Sequence, residues 1–185
     1  MSGLHHKALK ANSSDAANPE ARLSEGKNTA SVFRIAAIAL DEHSVLRRTA
    51  EIEKERASAI CDLLAENHFA PVGSNGGPYH LHLAIAENRL VFTIHLSNGH
   101  NHGRIVLSLN PFRRVVRDYF LICESYYAAL REAPRARVEA LDMSRRGLHN
   151  EGSALLIQGL KGKVDLDFET ARRLFTLISV LHLKV

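Results

Sequence analysis

One short stretch of the C-terminal half concentrates side chains that can take part in catalysis. Residues 145–153 include Arg145, Arg146, His149 and Glu151. A histidine beside a carboxylate can act as a general base with its orienting partner, and an arginine can stabilise a developing negative charge. These four residues are therefore the candidate catalytic side chains of an enzyme not yet described.

The spacing of these residues also allows a second interpretation. On a continuous helix Arg145 and His149 share one face, whereas Glu151 lies nearly opposite. Pairing of His149 with Glu151 therefore requires the two glycines of the segment to break the helix. The alternative is a polar junction between helices, in which His149 and Asn150 satisfy backbone groups. Asn150 and Ser153 are also candidate ligand-binding residues.

Three arginines, Arg113, Arg114 and Arg117, form a second candidate site. They fall in the first two turns of a helix that Asn110 is expected to cap, with Pro111 at its first position. Cations at this end oppose the helix dipole, and neighbouring arginines repel one another. The compensating anion is either external (a phosphate-containing ligand, nucleic acid or acidic protein surface) or an internal carboxylate. The internal carboxylates available are Asp118, Glu139, Asp142 and Glu151.

Alternating apolar residues predict a β-hairpin over PYHLHLAIAENRLVFTIHL, with its turn at Glu87-Asn88. The expected register places three apolar pairs on one face, namely Leu81 with Ile94, Leu83 with Phe92 and Ile85 with Leu90. The same register sets the polar face of the hairpin.

Histidines on that polar face form a third candidate, a metal site. His80 and His82 share the face, and His80 is expected to lie directly opposite His95. Three imidazoles can hold Zn²⁺, with His100 or His102 in the adjoining loop as a further ligand. No other cofactor is expected.

The remaining patterns predict the elements that position these residues. A strand is expected over VFRIAAIAL and another over RIVLSL, and a helix follows Thr49. Apolar residues at helical spacing predict further helices after Asn110 and Pro134, and Asp167 is expected to cap the last one. Strands followed by helices indicate an α+β fold: an antiparallel β-meander of about four strands packed on one face by about four to five helices.

Composition narrows the class of protein. The chain has 185 residues and two cysteines, which form no C-x-x-C pair. Residues 1–31 lack a periodic apolar pattern, which predicts a disordered N-terminal tail before a single α+β domain over 32–185. No export signal or membrane-spanning segment is evident, so the expected location is the cytoplasm.

The excess of positive charge lies in the C-terminal part of the chain. The net charge is +4, and residues 111–185 carry thirteen basic and nine acidic residues. Of the 24 basic residues, 17 are arginine, which pairs with carboxylate and phosphate through two parallel hydrogen bonds. The leading prediction is a small binding or adaptor protein that holds an anionic partner through this Arg-rich helical region.

The segments PFRRVVRDYFLICESYY and DMSRRGLHNEGS carry a resemblance to a known family. The chain resembles a functionally uncharacterised family of small alphaproteobacterial proteins over essentially residues 32–183. The resemblance implies a bacterial, cytoplasmic single domain with no known cofactor and no established activity.

The aromatic residues Tyr119, Phe120, Tyr126 and Tyr127 fall on the apolar stripe of the helix that follows Asn110. A second copy of the chain could cover part of this stripe, which would give a homo-oligomer.

Overall fold

The computed structural model describes residues 32–41 and 49–182, so the expected tail over 1–31 lies outside the described residues. The strands are β1 (Ile35–Leu40), β2 (Phe69–Pro71), β3 (Tyr79–Ala86), β4 (Arg89–Leu96), β5 (Asn101–Ser108) and β6 (Val164–Leu166). The helices are α1 (Ala50–Ala65), α2 (Phe112–Glu132), α3 (Arg135–Leu160) and α4 (Phe168–His182). The α+β class predicted from the sequence is confirmed.

The main sheet has four strands in the order β1-β3-β4-β5. The hairpin register is confirmed, since Leu81 pairs with Ile94 and Leu83 with Phe92. Glu87 and Asn88 both adopt positive φ, as a tight hairpin turn requires. The meander comprises β3, β4 and β5, and β1 joins it in parallel to β3. A second, two-stranded sheet pairs β2 with β6.

The alternation along the hairpin directs its apolar side chains to one face of the sheet. Leu81, Leu83, Phe92 and Ile94 are almost completely buried there. Polar residues such as His80 occupy the opposite face. The core therefore lies between the sheet and the helices, as expected for a one-sided α+β fold.

Helix α4 lies at the centre of the core. Ten of its fifteen residues are buried, and it packs against α1, α3 and β3. Asp167 caps the helix as predicted, because its Oδ1 accepts a hydrogen bond of 2.6 Å from the backbone N–H of Thr170. The two sides of α4 thus support α1 and α3, and α3 carries all the candidate residues of the stretch 145–153.

The start of α2 differs from the prediction. The helix begins at Phe112, and no side chain caps it. Asn110 uses its Oδ1 to accept a hydrogen bond of 2.7 Å from the side-chain amide of Asn88. The prediction that Asn110 caps the helix through its side chain was wrong, because the hairpin turn supplies a competing donor.

Helix α3 runs without interruption through Gly147 and Gly152, the two glycines of the stretch 145–153. At Gly152 the helix lies against the ring of Phe175 on α4, so closely that an added Cβ would sit 2.2 Å from two ring carbons. Gly147, one and a half turns earlier, has open space around it. Packing therefore requires a glycine at position 152 but not at position 147.

Asn67 joins α1 to the first strand. Its Oδ1 accepts a hydrogen bond from the backbone N–H of Ile35 at 2.7 Å, and its Nδ2 donates to the Ile35 carbonyl at 3.0 Å. The same Nδ2 donates to the carbonyl of Leu63 near the end of α1, at 2.6 Å. One side-chain amide thus holds the helix end and the strand edge together.

Substitution of Gly152 by alanine tests the close approach of α3 and α4. We expect Gly152→Ala to lower the free energy of unfolding by about 1–3 kcal/mol, because the new methyl group displaces the buried ring of Phe175. Urea unfolding measures this as a lower midpoint at an unchanged slope. Gly147→Ala is the matched control and should stabilise the helix by about 0.5–1 kcal/mol. Equal effects of the two substitutions would contradict the packing argument.

Candidate functional site

The four helices of the described residues all contribute to a cleft of about 260 Å³ that is lined mainly by polar side chains. Its charged lining residues are Glu55 and Asp62 of α1, Arg145 of α3, and Glu169, Arg172 and Arg173 of α4. We call this the four-helix cleft. Its neutral lining includes Tyr119, His149 and Thr176.

Arg145 is held at the edge of the cleft by three partners. Its Nη2 lies 2.9 Å from Oδ1 of Asp142, and its Nη1 lies 4.0 Å from Oε1 of Glu55. Its guanidinium carbon lies 5.2 Å from the centre of the Tyr126 ring, within the range of a cation–π interaction. The hydroxyl of Tyr127 donates to Glu55 at 2.6 Å. The guanidinium of Arg145 is thereby fixed in orientation.

His149 lies one turn beyond Arg145 and is largely enclosed. Its Nε2 is 2.9 Å from Oγ1 of Thr176, and its ring stacks on Tyr119 with 5.5 Å between centroids. Burial, together with the nearby charges of Arg172 and Arg145, lowers the pKa of His149 to about 4. The imidazole is therefore neutral at physiological pH and is a weak general base there.

The uninterrupted helix separates His149 from Glu151. Glu151 pairs with Arg114 on α2, on another side of α3 from the His149 ring. The structure therefore does not bring the two candidate catalytic residues together. Arg146 is exposed and pairs with Asp142 at 2.7 Å.

Ser153 and Asn150, the two remaining candidates of residues 145–153, do not line the four-helix cleft. Ser153 is fully buried, and its hydroxyl donates to the backbone carbonyl of His149 at 2.7 Å. Asn150 is exposed. Of the six residues singled out in this stretch, only Arg145 and His149 line the four-helix cleft.

Arg113, Arg114 and Arg117 line a separate, open groove of about 680 Å³ at the start of α2, which we call the arginine groove. Arg114 pairs with Asp118 and Glu151, and Arg117 pairs with Asp118 at 2.9 Å. Two of the internal carboxylates named as candidates therefore do contact these arginines.

Arg113 has a different kind of partner. Its Nη2 and Nε donate to the side-chain oxygen of Asn88 at 2.7 and 3.2 Å, and no carboxylate of the described residues lies within ion-pairing distance. Nearby, burial and then the charge of Arg113 lower the pKa of His182, which disfavours a further positive charge on this histidine. Among the described residues, two guanidinium groups of the arginine groove therefore pair with two carboxylates, and the third has no carboxylate partner.

The hairpin histidines are arranged as the register predicted, with His80 directly opposite His95. His82 follows on the same face and pairs with Thr93. Within residues 32–41 and 49–182, no group of three or more histidine, cysteine or acidic side chains is close enough to hold a metal ion.

Sequence reasoning missed the contribution of α1 and α4 to the four-helix cleft. Asp62, Arg172 and Arg173 belong to helices whose amphipathic patterns look ordinary, and neither helix carries a recognisable motif. The i, i+4 spacing of Arg145 and His149, which places both on one face of a helix, is the sequence feature that indicated the four-helix cleft. Only the packing of α4 between α1 and α3 shows which other charges face it.

Fold and site together define a small α+β protein with an arginine groove at the start of α2 and a polar cleft between four helices. None of the helices in the described ranges is long and apolar enough to cross a membrane. The chain belongs to UPF0262, an uncharacterised protein family whose model matches residues 32–184.

Relatives in this family cover most of the chain. A UPF0262 protein of Nitrobacter winogradskyi is 58% identical over 151 residues, which is 82% of this chain and 90% of that protein. UPF0262 proteins of Brucella canis and Rhizobium etli are 57% and 54% identical over 150 residues each, covering 80% and 81% of this chain and 93% and 95% of theirs. These organisms are alphaproteobacteria, as the resemblance implied. No solved structure matches the chain.

The neutral state of His149 gives a pH dependence with a definite sign. In the unfolded chain the imidazole binds a proton near its ordinary pKa of 6.5, whereas in the folded protein it does so only near pH 4. The unfolded state therefore binds more protons in this window, and the contribution of His149 to the free energy of unfolding should fall by roughly 3 kcal/mol as the pH drops from 6.5 to 4. Urea unfolding at several pH values measures this loss.

The variant His149→Gln isolates the contribution of this residue. Because His182 and the carboxylates remain in both proteins, the difference between the two pH profiles belongs to residue 149. We expect the variant to lose less stability than the wild type between pH 6.5 and 4. Parallel profiles, or an NMR titration of His149 at its ordinary pKa, would show that the imidazole is not held neutral.

Proposed function

We propose that this protein is a binding module whose arginine groove holds an acidic, partly apolar segment of a partner protein. The observation that carries the proposal is the charge imbalance of the groove. Arg114 and Arg117 pair with Asp118 and Glu151, whereas Arg113 reaches no carboxylate of the described residues, which leaves one positive charge uncompensated among the described groups.

The position of these arginines strengthens the case for an anion. They lie in the first two turns of α2, where the unpaired N–H groups of the helix already favour negative charge. No acidic residue occupies the first turn, and no side chain caps the helix. A carboxylate from a partner would relieve both the arginine repulsion and the unfavourable dipole interaction.

The floor of the groove favours protein over nucleic acid. Phe120 and Leu121 supply apolar surface beside the arginines, and Leu121 is 57% exposed. An acidic peptide with interspersed apolar side chains can use both features of the groove. A nucleic-acid backbone gains little from an apolar floor, and proteins that bind it strongly contact about 6–10 phosphates, more than three arginines can neutralise.

The geometry gives less support to the alternative of an enzyme centred on residues 145–153. His149 and Glu151 face different sides of α3, and the pKa of His149 lies well below neutrality. Acid–base catalysis works best when the pKa of the catalytic group lies near the operating pH. Residues Arg145 and His149 are therefore interpreted as parts of a binding cleft.

Binding of labelled synthetic peptides tests the proposal. The probes are a peptide of alternating Glu and Leu, a poly-Glu peptide of equal length and a single-stranded RNA of equal charge. We expect the Glu–Leu peptide to bind most tightly, with an affinity that falls as salt rises. Arg113→Gln and Arg117→Gln should each weaken it about three- to tenfold, as measured by fluorescence anisotropy.

Two controls separate the groove from general charge effects. Arg135→Gln removes an exposed arginine of α3 that pairs with Glu139, and it should leave the affinity unchanged. Leu121→Ser should remove the preference for the Glu–Leu peptide over poly-Glu. The proposal is wrong if RNA binds more tightly than either peptide, or if Arg135→Gln weakens binding as much as Arg113→Gln does.

A further inference from the structure

The four-helix cleft contains two charged side chains that no ion pair of the described residues neutralises. Asp62 of α1 accepts only a 3.4 Å hydrogen bond from the Ser58 hydroxyl. Arg173 of α4 donates to the backbone carbonyl of Glu66 and reaches no carboxylate among the described residues. One negative and one positive charge thus line the same cleft without a charged partner.

The other charged groups of the cleft are already paired. Arg145 contacts Asp142 and Glu55, and Arg172 contacts both carboxylate oxygens of Glu169 at 3.2 Å. These pairs leave little attraction for a ligand of either sign alone. One unpaired charge lies on α1 and the other on α4, so a single ligand that satisfies both must carry two opposite charges.

Arg172 adds an unsatisfied donor to this arrangement. Its Nε is buried and has no hydrogen-bond acceptor within the described part of the chain. A buried donor without an acceptor is costly, and the cost is greater for a charged group. Arg172 and Arg173 line the same cleft, so a carboxylate bound next to Arg173 can accept from this donor once the guanidinium of Arg172 turns toward the cleft.

The volume and the neutral lining restrict the ligand further. A cleft of about 260 Å³ accommodates a small molecule and not a peptide segment. His149 is neutral and hydrogen-bonded to Thr176, so it adds polar surface without a third charge. The ring of Tyr119 supplies an apolar wall for a short carbon chain.

We propose that the four-helix cleft is a second binding site, for a small zwitterion with one carboxylate and one ammonium group. The carboxylate pairs with Arg173 and Arg172, and the ammonium group pairs with Asp62. This site is separate from the arginine groove and does not depend on the function proposed for it.

A series of ω-amino acids tests the site, because these probes keep both charges and vary only their separation. Glycine, β-alanine, 4-aminobutyrate and 6-aminohexanoate are titrated to well above roughly 1 mM while the amide shifts of the full chain are followed by two-dimensional NMR. We expect one chain length to bind best and to shift the amides around Asp62, His149 and Arg173. The matched N-acetyl and carboxamide analogues, which lack one charge, should bind about tenfold more weakly.

Single substitutions assign the two charges. Asp62→Asn and Arg173→Gln each remove one charge, and each should weaken the best probe about tenfold. Asp62 is exposed, so its substitution leaves the core intact. Arg137→Gln, on the exposed side of α3, is the control and should bind as the wild type does.

Three outcomes would overturn this proposal: no probe shifts the cleft amides, the one-charge analogues bind as well as the zwitterions, or neither substitution weakens binding. Arg113→Gln should leave zwitterion binding unchanged, whereas it weakens binding of the acidic peptide. The two proposals can therefore fail independently.

Discussion

The burial of α4 is the constraint on which the rest of the structure depends. Because this helix is covered by β3, α1 and α3, these elements must approach it closely, and the contact at Gly152 shows how closely. A protein core is packed as densely as an organic crystal, so such a contact fixes the rotation of α3 about its own axis. That rotation places Arg145 and His149 toward the cleft and Glu151 toward α2.

The sequence predicted those parts of the fold that depend on local periodicity. Alternation defined the hairpin pairs such as Leu83 with Phe92, and the Asp167 cap marked the start of α4. The parallel pairing of β1 with β3 has no local signal, because it depends on where α1 and β2 lead the chain. The side chain of Asn110 was misassigned since its competing partner, Asn88, is distant in sequence.

The candidate sites, too, could be predicted only where they depend on residues that are close together in the sequence. The crowding of Arg113, Arg114 and Arg117 was visible from helical spacing, but the pairing of only two of them with carboxylates of the described residues was not. The four-helix cleft is assembled from residues more than a hundred positions apart, such as Asp62 and Arg173. Such sites emerge only when the packing of the helices is known.

Asn67 has a consequence for the behaviour of the protein in a crowded cell. Strand β1 lies at the edge of the sheet, where unpaired backbone groups can recruit a strand from another molecule and start aggregation. By accepting from the N–H and donating to the carbonyl of Ile35, the Asn67 amide imitates a neighbouring strand for one residue. The chain thus blocks this part of its own edge with a single side chain and resists growth of the sheet from one molecule to the next.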